Sequence, residues 1–163
     1  MAENAIIRNA TIEDLLDIQR LSQKLVEYEF YNCGNNVMNL DWSFSENGKD
    51  FFEREILYNV VIVAEINHKC VGYISGSINE NEPWYNVQIA YIHNFFVEEE
   101  YRNIGIGKAL NNEFKNRCLS ANIHHIRVST LSANNCALKF YSKRGFQLYV
   151  NQLIYIEQVM TNV

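Results

Sequence analysis

An apolar run closing at Val97 meets a short acidic turn, and Arg102-Asn103-Ile104-Gly105-Ile106-Gly107-Lys108 then leads into a helical pattern. This order of strand, two-glycine loop and helix start constrains the chain more than any other stretch. Glycine lets the backbone turn tightly and leaves amide hydrogens uncovered. Those amides, with the positive end of the helix dipole, suit a phosphate or pyrophosphate. One charge-assisted hydrogen bond contributes about 1.5–3 kcal/mol, so a few such bonds hold an anionic headgroup. Two better-known phosphate loops are excluded. The P-loop needs a glycine where Arg102 stands and a Ser or Thr where Ala109 stands. The dinucleotide fingerprint needs Gly or Ala where Leu110 stands.

A second segment carries chemistry. Asn134 is followed seven residues later by Tyr141, and then by Gly145-Phe146. Two helical turns put Asn134 and Tyr141 on one face. The spacing Arg-x-x-Gly-x-Gly, together with this Asn–Tyr–Gly-Phe segment, resembles the GNAT superfamily of acyl-CoA N-acyltransferases. Ile7-Arg8, Ala10-Thr11, Asp14, Ile18, Tyr28-Glu29, Pro83-Trp84 and Phe95-Phe96-Val97 resemble its diamine (polyamine) acetyltransferase branch.

The resemblance implies acetyl-CoA as acyl donor and no metal. Arg102, Asn103, Ile104, Gly105, Ile106, Gly107 and Lys108 would wrap the pyrophosphate of coenzyme A. Asn134, Ala137 and Tyr141 would line its pantetheine arm and thiol. Tyr141 would return a proton to the leaving thiolate; a free phenol has a pKa near 10 and a thiol near 8.5, so the transfer accompanies charge development. Phe95, Phe96 and Val97 would contribute backbone groups at a bulge that splays their strand from the next parallel one. An amide aimed there suits an oxyanion. Tyr28, Glu29 and His93 would meet the acceptor amine. Dimers are common in the family, so a homodimer is compatible.

The acceptor must lose a proton before it attacks. An alkylamine of pKa near 10.4 is about 0.04% neutral at pH 7, a penalty of about 4.6 kcal/mol. His93 suits a proton relay. Alternation puts it on the strand face of Phe95 and Val97. His93-Asn94 stands where the polyamine branch carries an acidic pair, which removes up to two negative charges. Three sources of the base stay open: His93, a water chain, or none.

Length and composition agree with one domain spanning 1–163. A chain of 163 residues with 48% hydrophobic content can bury a core. A net charge of -5 without a Lys/Arg-rich run argues against nucleic acid and weakly favours a cationic substrate. No apolar run is long enough to span a bilayer, and the N-terminus lacks a signal-peptide core, so a soluble cytoplasmic protein is expected. Cys33, Cys70, Cys118 and Cys136 form no C-x-x-C pair and read as free thiols.

Pattern and turn chemistry predict strands at 5–8, 60–66, 71–78, 87–97, 125–130, 146–150 and 153–159. Helices are predicted from a Thr11 N-cap with Asp14 at the capping-box position to about residue 30, and over 49–58, 105–120 and 134–144. The expected architecture is α/β (α+β): a mixed central sheet of about seven strands with helices on both faces and, from the resemblance, a splayed central pair. The functional expectation is acetyl transfer to a small-molecule amine, polyamine-like or amino-acid-like. A protein, peptide or antibiotic amine, and a non-catalytic CoA-binding module, are the competing readings.

Overall fold

The computed structural model describes residues 5–78 and 82–154. After β1 (Ile6–Asn9), a 3-10 turn at Ile12–Asp14 starts α1 (Leu15–Cys33). The expected capping box is present: the Thr11 amide donates to Asp14 Oδ2 at 2.8 Å. The Arg8 fork closes on both Asp14 oxygens at 2.7 and 2.8 Å and reaches Glu65 through Nε. This ties the helix start to the sheet. The helix runs a turn beyond the expected end, to a left-handed Gly34 at φ 70. Next, α2 (Glu46–Tyr58) begins three residues early because Ser45 caps it, its Oγ accepting from the Gly48 amide at 3.1 Å.

A two-residue turn, Asn67 at φ 50 and His68 at φ 62, joins β2 (Val60–Ile66) to β3 (Lys69–Ser77). β4 (Ile89–Val97), α3 (Ile106–Ser120), β5 (His125–Val128) and α4 (Asn135–Ser142) follow. The sheet order is β1-β2-β3-β4-β5, antiparallel except for the parallel pair β4–β5.

Among the described residues five strands form, not about seven. Residues 146–150 carry strand-forming side chains but make no ladder among the described residues. Leu148 is 89% exposed and Tyr149 67%. Strand propensity is a fit to a half-buried pleated surface, and the described residues offer this segment no such surface. The expected strand at 153–159 lies mostly outside the described residues, and its first two residues form no strand.

Helices cover both faces, as alternation requires. Ile62 and Ile74 pack with Ile106, Leu110 and Phe114 of α3. Val61, Val63 and Tyr73 pack with Leu15, Ile18 and Leu21 of α1 and Phe52 of α2. The ladder between β3 and β4 slips once. Ser75 faces Asn94 while Gly76 faces Ile92, which makes His93 the extra residue of a β-bulge. Before the slip Ala90 and Ile92 face the α3 side; after it Phe95 and Val97 do. The expectation that His93 shares their face is therefore wrong: one extra residue reverses the alternation.

The β4–β5 ladder ends at Ile92–Val128, two residues before the expected strand end. From His93 onward β4 has no β5 partner among the described residues, so the two parallel strands part at the bulge. The far end of β4 is anchored by Glu98, which is 1% exposed and is met by Arg20, Lys24 and Lys69.

Candidate active site

The parting of β4 and β5 opens a groove. Glu29 of α1, His93 and Phe95 of β4, Ser129 beyond β5, and Asn134 and Tyr141 all line it. Asn134 and Tyr141 do share one face, as their spacing requires. Tyr141 is 7% exposed, with the rings of Phe140 and Phe146 at 5.3 and 5.1 Å and that of Phe95 at 6.3 Å. Burial pushes its hydroxyl above the usual tyrosine pKa, so the phenol keeps its proton across the neutral range. Asn134 is the N-cap of α4. Its Oδ1 accepts from the Ala137 amide at 3.0 Å, so those two groups serve the helix and the Nδ2 hydrogens are what Asn134 can offer a ligand.

The glycine loop lies at the surface beside this groove. Asn103 at φ 65 and Gly105 at φ 100 are both left-handed. Gly105 is the N-cap of α3, and no side chain caps that helix. First-turn amides are thus left for an outside acceptor. A Cβ built on Gly105 meets nothing within 4 Å, so positive φ alone calls for glycine there. Gly107 differs. Its Cβ would lie 3.1 Å from Phe140 Cε2 and 3.4 Å from Phe95 Cζ, so glycine lets α3 approach the rings around Tyr141. Ile106 is buried in the core, whereas Ile104 is 57% exposed and Lys108 is exposed. Arg102 turns back: Nε donates to the Val97 carbonyl at 2.8 Å, and its guanidinium lies over Phe96 and Tyr28 at 5.3 and 5.6 Å. An uncapped helix start with two left-handed residues before it fits the diphosphate of coenzyme A.

At the bulge, His93 points to α2. Its Nδ1 is 2.9 Å from Glu55 Oε2, and its Nε2 is 3.2 Å from Ser77 Oγ. The Glu55 side chain is 5% exposed and that of His93 25%. Glu55 escaped the sequence reading. The signal was present: it stands three residues after buried Phe52, a charge placed on the apolar stripe of α2.

The model of the acetyltransferase (GNAT) family matches residues 23–146. The chain belongs to this family. A curated relative, an uncharacterized N-acetyltransferase of Methanocaldococcus jannaschii, is 34% identical over 90 residues, or 55% of this chain and 53% of that protein. The chain thus spans about half the length of that relative. Two solved structures share the fold. A mutant of the BH1408 protein of Bacillus halodurans has a TM-score of 0.80 at 19% identity, covering 94% of this chain and 99% of that one. PaiA N-acetyltransferase of Thermoplasma acidophilum, solved in complex with coenzyme A, has a TM-score of 0.76 at 20% identity, covering 91% and 93%.

In this GNAT chain the expected acceptor residues separate. Glu29 lines the groove, and burial raises the pKa of its carboxyl above the usual range. Tyr28 packs against Arg102 instead. The thiols are unpaired, and burial pushes Cys70 up to about 12 and Cys118 up to about 11, which leaves those two unreactive. Among the described residues no group of three or more His, Cys, Asp or Glu gathers to hold a metal, and no helix is long and apolar enough to cross a membrane.

Proposed function

We propose that this chain transfers an acetyl group from acetyl-CoA to a primary amine of a small molecule, by direct attack within a ternary complex. The observation that carries this reading is the parting of β4 and β5 after Ile92–Val128, with Tyr141 and Asn134 on the α4 side of the groove and Glu29 on the α1 side. An opening through the sheet lets donor and acceptor approach from opposite faces, which direct attack requires.

When bound, acetyl-CoA supplies an activated acyl thioester with a thiolate leaving group. The loop from Arg102 to Lys108 holds the diphosphate through the uncapped amides of α3 and its dipole. Asn134 donates to the pantetheine arm. Tyr141, kept protonated by burial, supplies the proton that the departing sulfur takes up. Glu29 in its ionised form attracts an ammonium, which favours polyamine-like or amino-acid-like acceptors. His93 takes the proton the amine must lose. A reducing cytoplasm suits the free thiols.

The test is CoA release from acetyl-CoA with spermidine, lysine analogues, aminoglycosides and peptides as acceptors. Turnover with one class of small amine is expected. Tight acetyl-CoA binding without turnover on any amine would reject catalysis and leave a CoA-binding module.

A further inference from the structure

We infer that the groove continues past Glu29 into an apolar cavity at the end of α1, and that this cavity takes an uncharged alkyl or aryl tail of the acceptor. The acceptor is then a monoamine with an apolar tail. This rests on the acetyl-transfer reading above and narrows it: of the amines that Glu29 attracts, the cavity selects those with no second charge. The cavity has a volume of about 200 Å³ and lies between the end of α1 and the turn that leads into α4, with Cys33, Val37, Leu131 and Ile154 on its walls. Those walls prolong the walls of the groove. Glu29 lines the groove and Cys33 the cavity, one turn and about 6 Å further along α1. On the other side Ser129 and Thr130 line the groove, Leu131 to Ala133 the cavity, and Asn134 the groove again. Both walls are fixed. The Asn134 amide donates to the Leu131 carbonyl at 2.9 Å, and the Asn35 amide donates to the Glu29 carbonyl at 3.2 Å.

Charge decides what enters. Glu29 stands on the amine side, whereas none of the described residues lining the cavity is acidic or basic. Burial, with Glu29 nearby, keeps the Cys33 thiol protonated. An ammonium beside Glu29 is paired. A second ammonium carried into the cavity would lose water and meet no carboxylate there. An apolar tail gains instead, because it covers side chains that water now touches: Val37 is 65% exposed and Ile154 is exposed. Size agrees, since an apolar cavity of about 150 Å³ holds a benzene ring.

The test measures CoA release by the full chain with linear alkylamines from ethylamine to hexylamine, and with cadaverine, in which an ammonium replaces the terminal methyl of hexylamine. Once the chain is long enough to leave the groove, kcat/KM should climb about two- to fourfold per methylene. Hexylamine should exceed cadaverine by about tenfold or more. Val37→Asp puts a carboxylate at the cavity, so cadaverine should gain and hexylamine should lose. General damage would lower both, so opposite shifts read the cavity alone. Calorimetric titration of the two amines into the coenzyme A complex reads the same preference without turnover. A rate indifferent to chain length, cadaverine equal to or better than hexylamine in the parent, or a Val37→Asp ratio equal to the parent's each overturns the inference. The first two comparisons use the unaltered protein, so a variant that fails to fold does not shelter it. The two readings fail separately. CoA release with no preference for hexylamine sinks the cavity alone; preferred binding of hexylamine with no CoA release from any amine sinks acetyl transfer and leaves the cavity standing.

Discussion

Gly105→Ala isolates what the glycine loop contributes to the diphosphate. Gly105 sits at φ 100, and a Cβ there meets nothing within 4 Å. Crowding therefore adds nothing, and the cost is that of an L-residue in the left-handed region, about 1–2 kcal/mol. For a chain of this size that corresponds to a melting temperature lower by roughly 2–8 °C. The strain relaxes if φ moves toward negative values, and such a movement swings the first amides of α3 off their aim. Losing one charge-assisted hydrogen bond to the diphosphate, about 1.5–3 kcal/mol, weakens the Kd for coenzyme A roughly ten- to a hundredfold. Isothermal titration with coenzyme A and thermal melts of the same samples measure both effects. Gly107→Ala is the matched control: its φ is ordinary, and its added carbon presses on Phe140 Cε2 at 3.1 Å, so it disturbs the rings around Tyr141 rather than the loop. A Gly105→Ala protein that melts lower yet binds coenzyme A as tightly as the parent would refute the assignment of these amides.

Three further outcomes are expected. Tyr141→Phe should lower kcat by about a hundredfold or more, the usual worth of a general acid, while KM for acetyl-CoA holds; steady-state kinetics showing equal losses in both would remove the acid role. Glu29→Gln should raise KM for cationic amines. In the parent that KM should fall as pH climbs through the raised pKa of Glu29, because the carboxylate forms only above it; a flat profile in both proteins contradicts the contact. Asp14→Asn should cost about 1–2 kcal/mol at neutral pH, a value reduced for solvent screening. The Arg8 fork holds Asp14 down to about 2 from 3.8, so its contribution is complete above the free value and disappears as pH falls through the folded one. Thermal melts from neutral to acid pH should show the two proteins converging at the acid end.

Local chemistry made the turn of the glycine loop into α3, the Thr11–Asp14 cap and the β2–β3 hairpin legible, because each depends on residues within a few positions of one another. The bulge at His93 was not legible in position or consequence. It is a mismatch between two ladders, visible only when Ser75–Asn94 and Gly76–Ile92 are both known. That one slip turned an alternation argument the wrong way, and it also moved His93 to Glu55, a partner 38 residues distant. The residues 146–150 fail for the opposite reason. Their side chains satisfy strand preference, yet a strand needs an edge to accept its backbone groups, and propensity says nothing about that edge. The candidate site stands between these cases. That Asn134 and Tyr141 share a face followed from two helical turns and that this face borders a groove followed from the family resemblance, whereas the placing of His93 depended on where the sheet slips. A residue such as Glu55, charged on an apolar helical stripe, is the trace such a tertiary pairing leaves in a sequence: burial of a carboxylate demands a partner, even when the chain does not reveal which one.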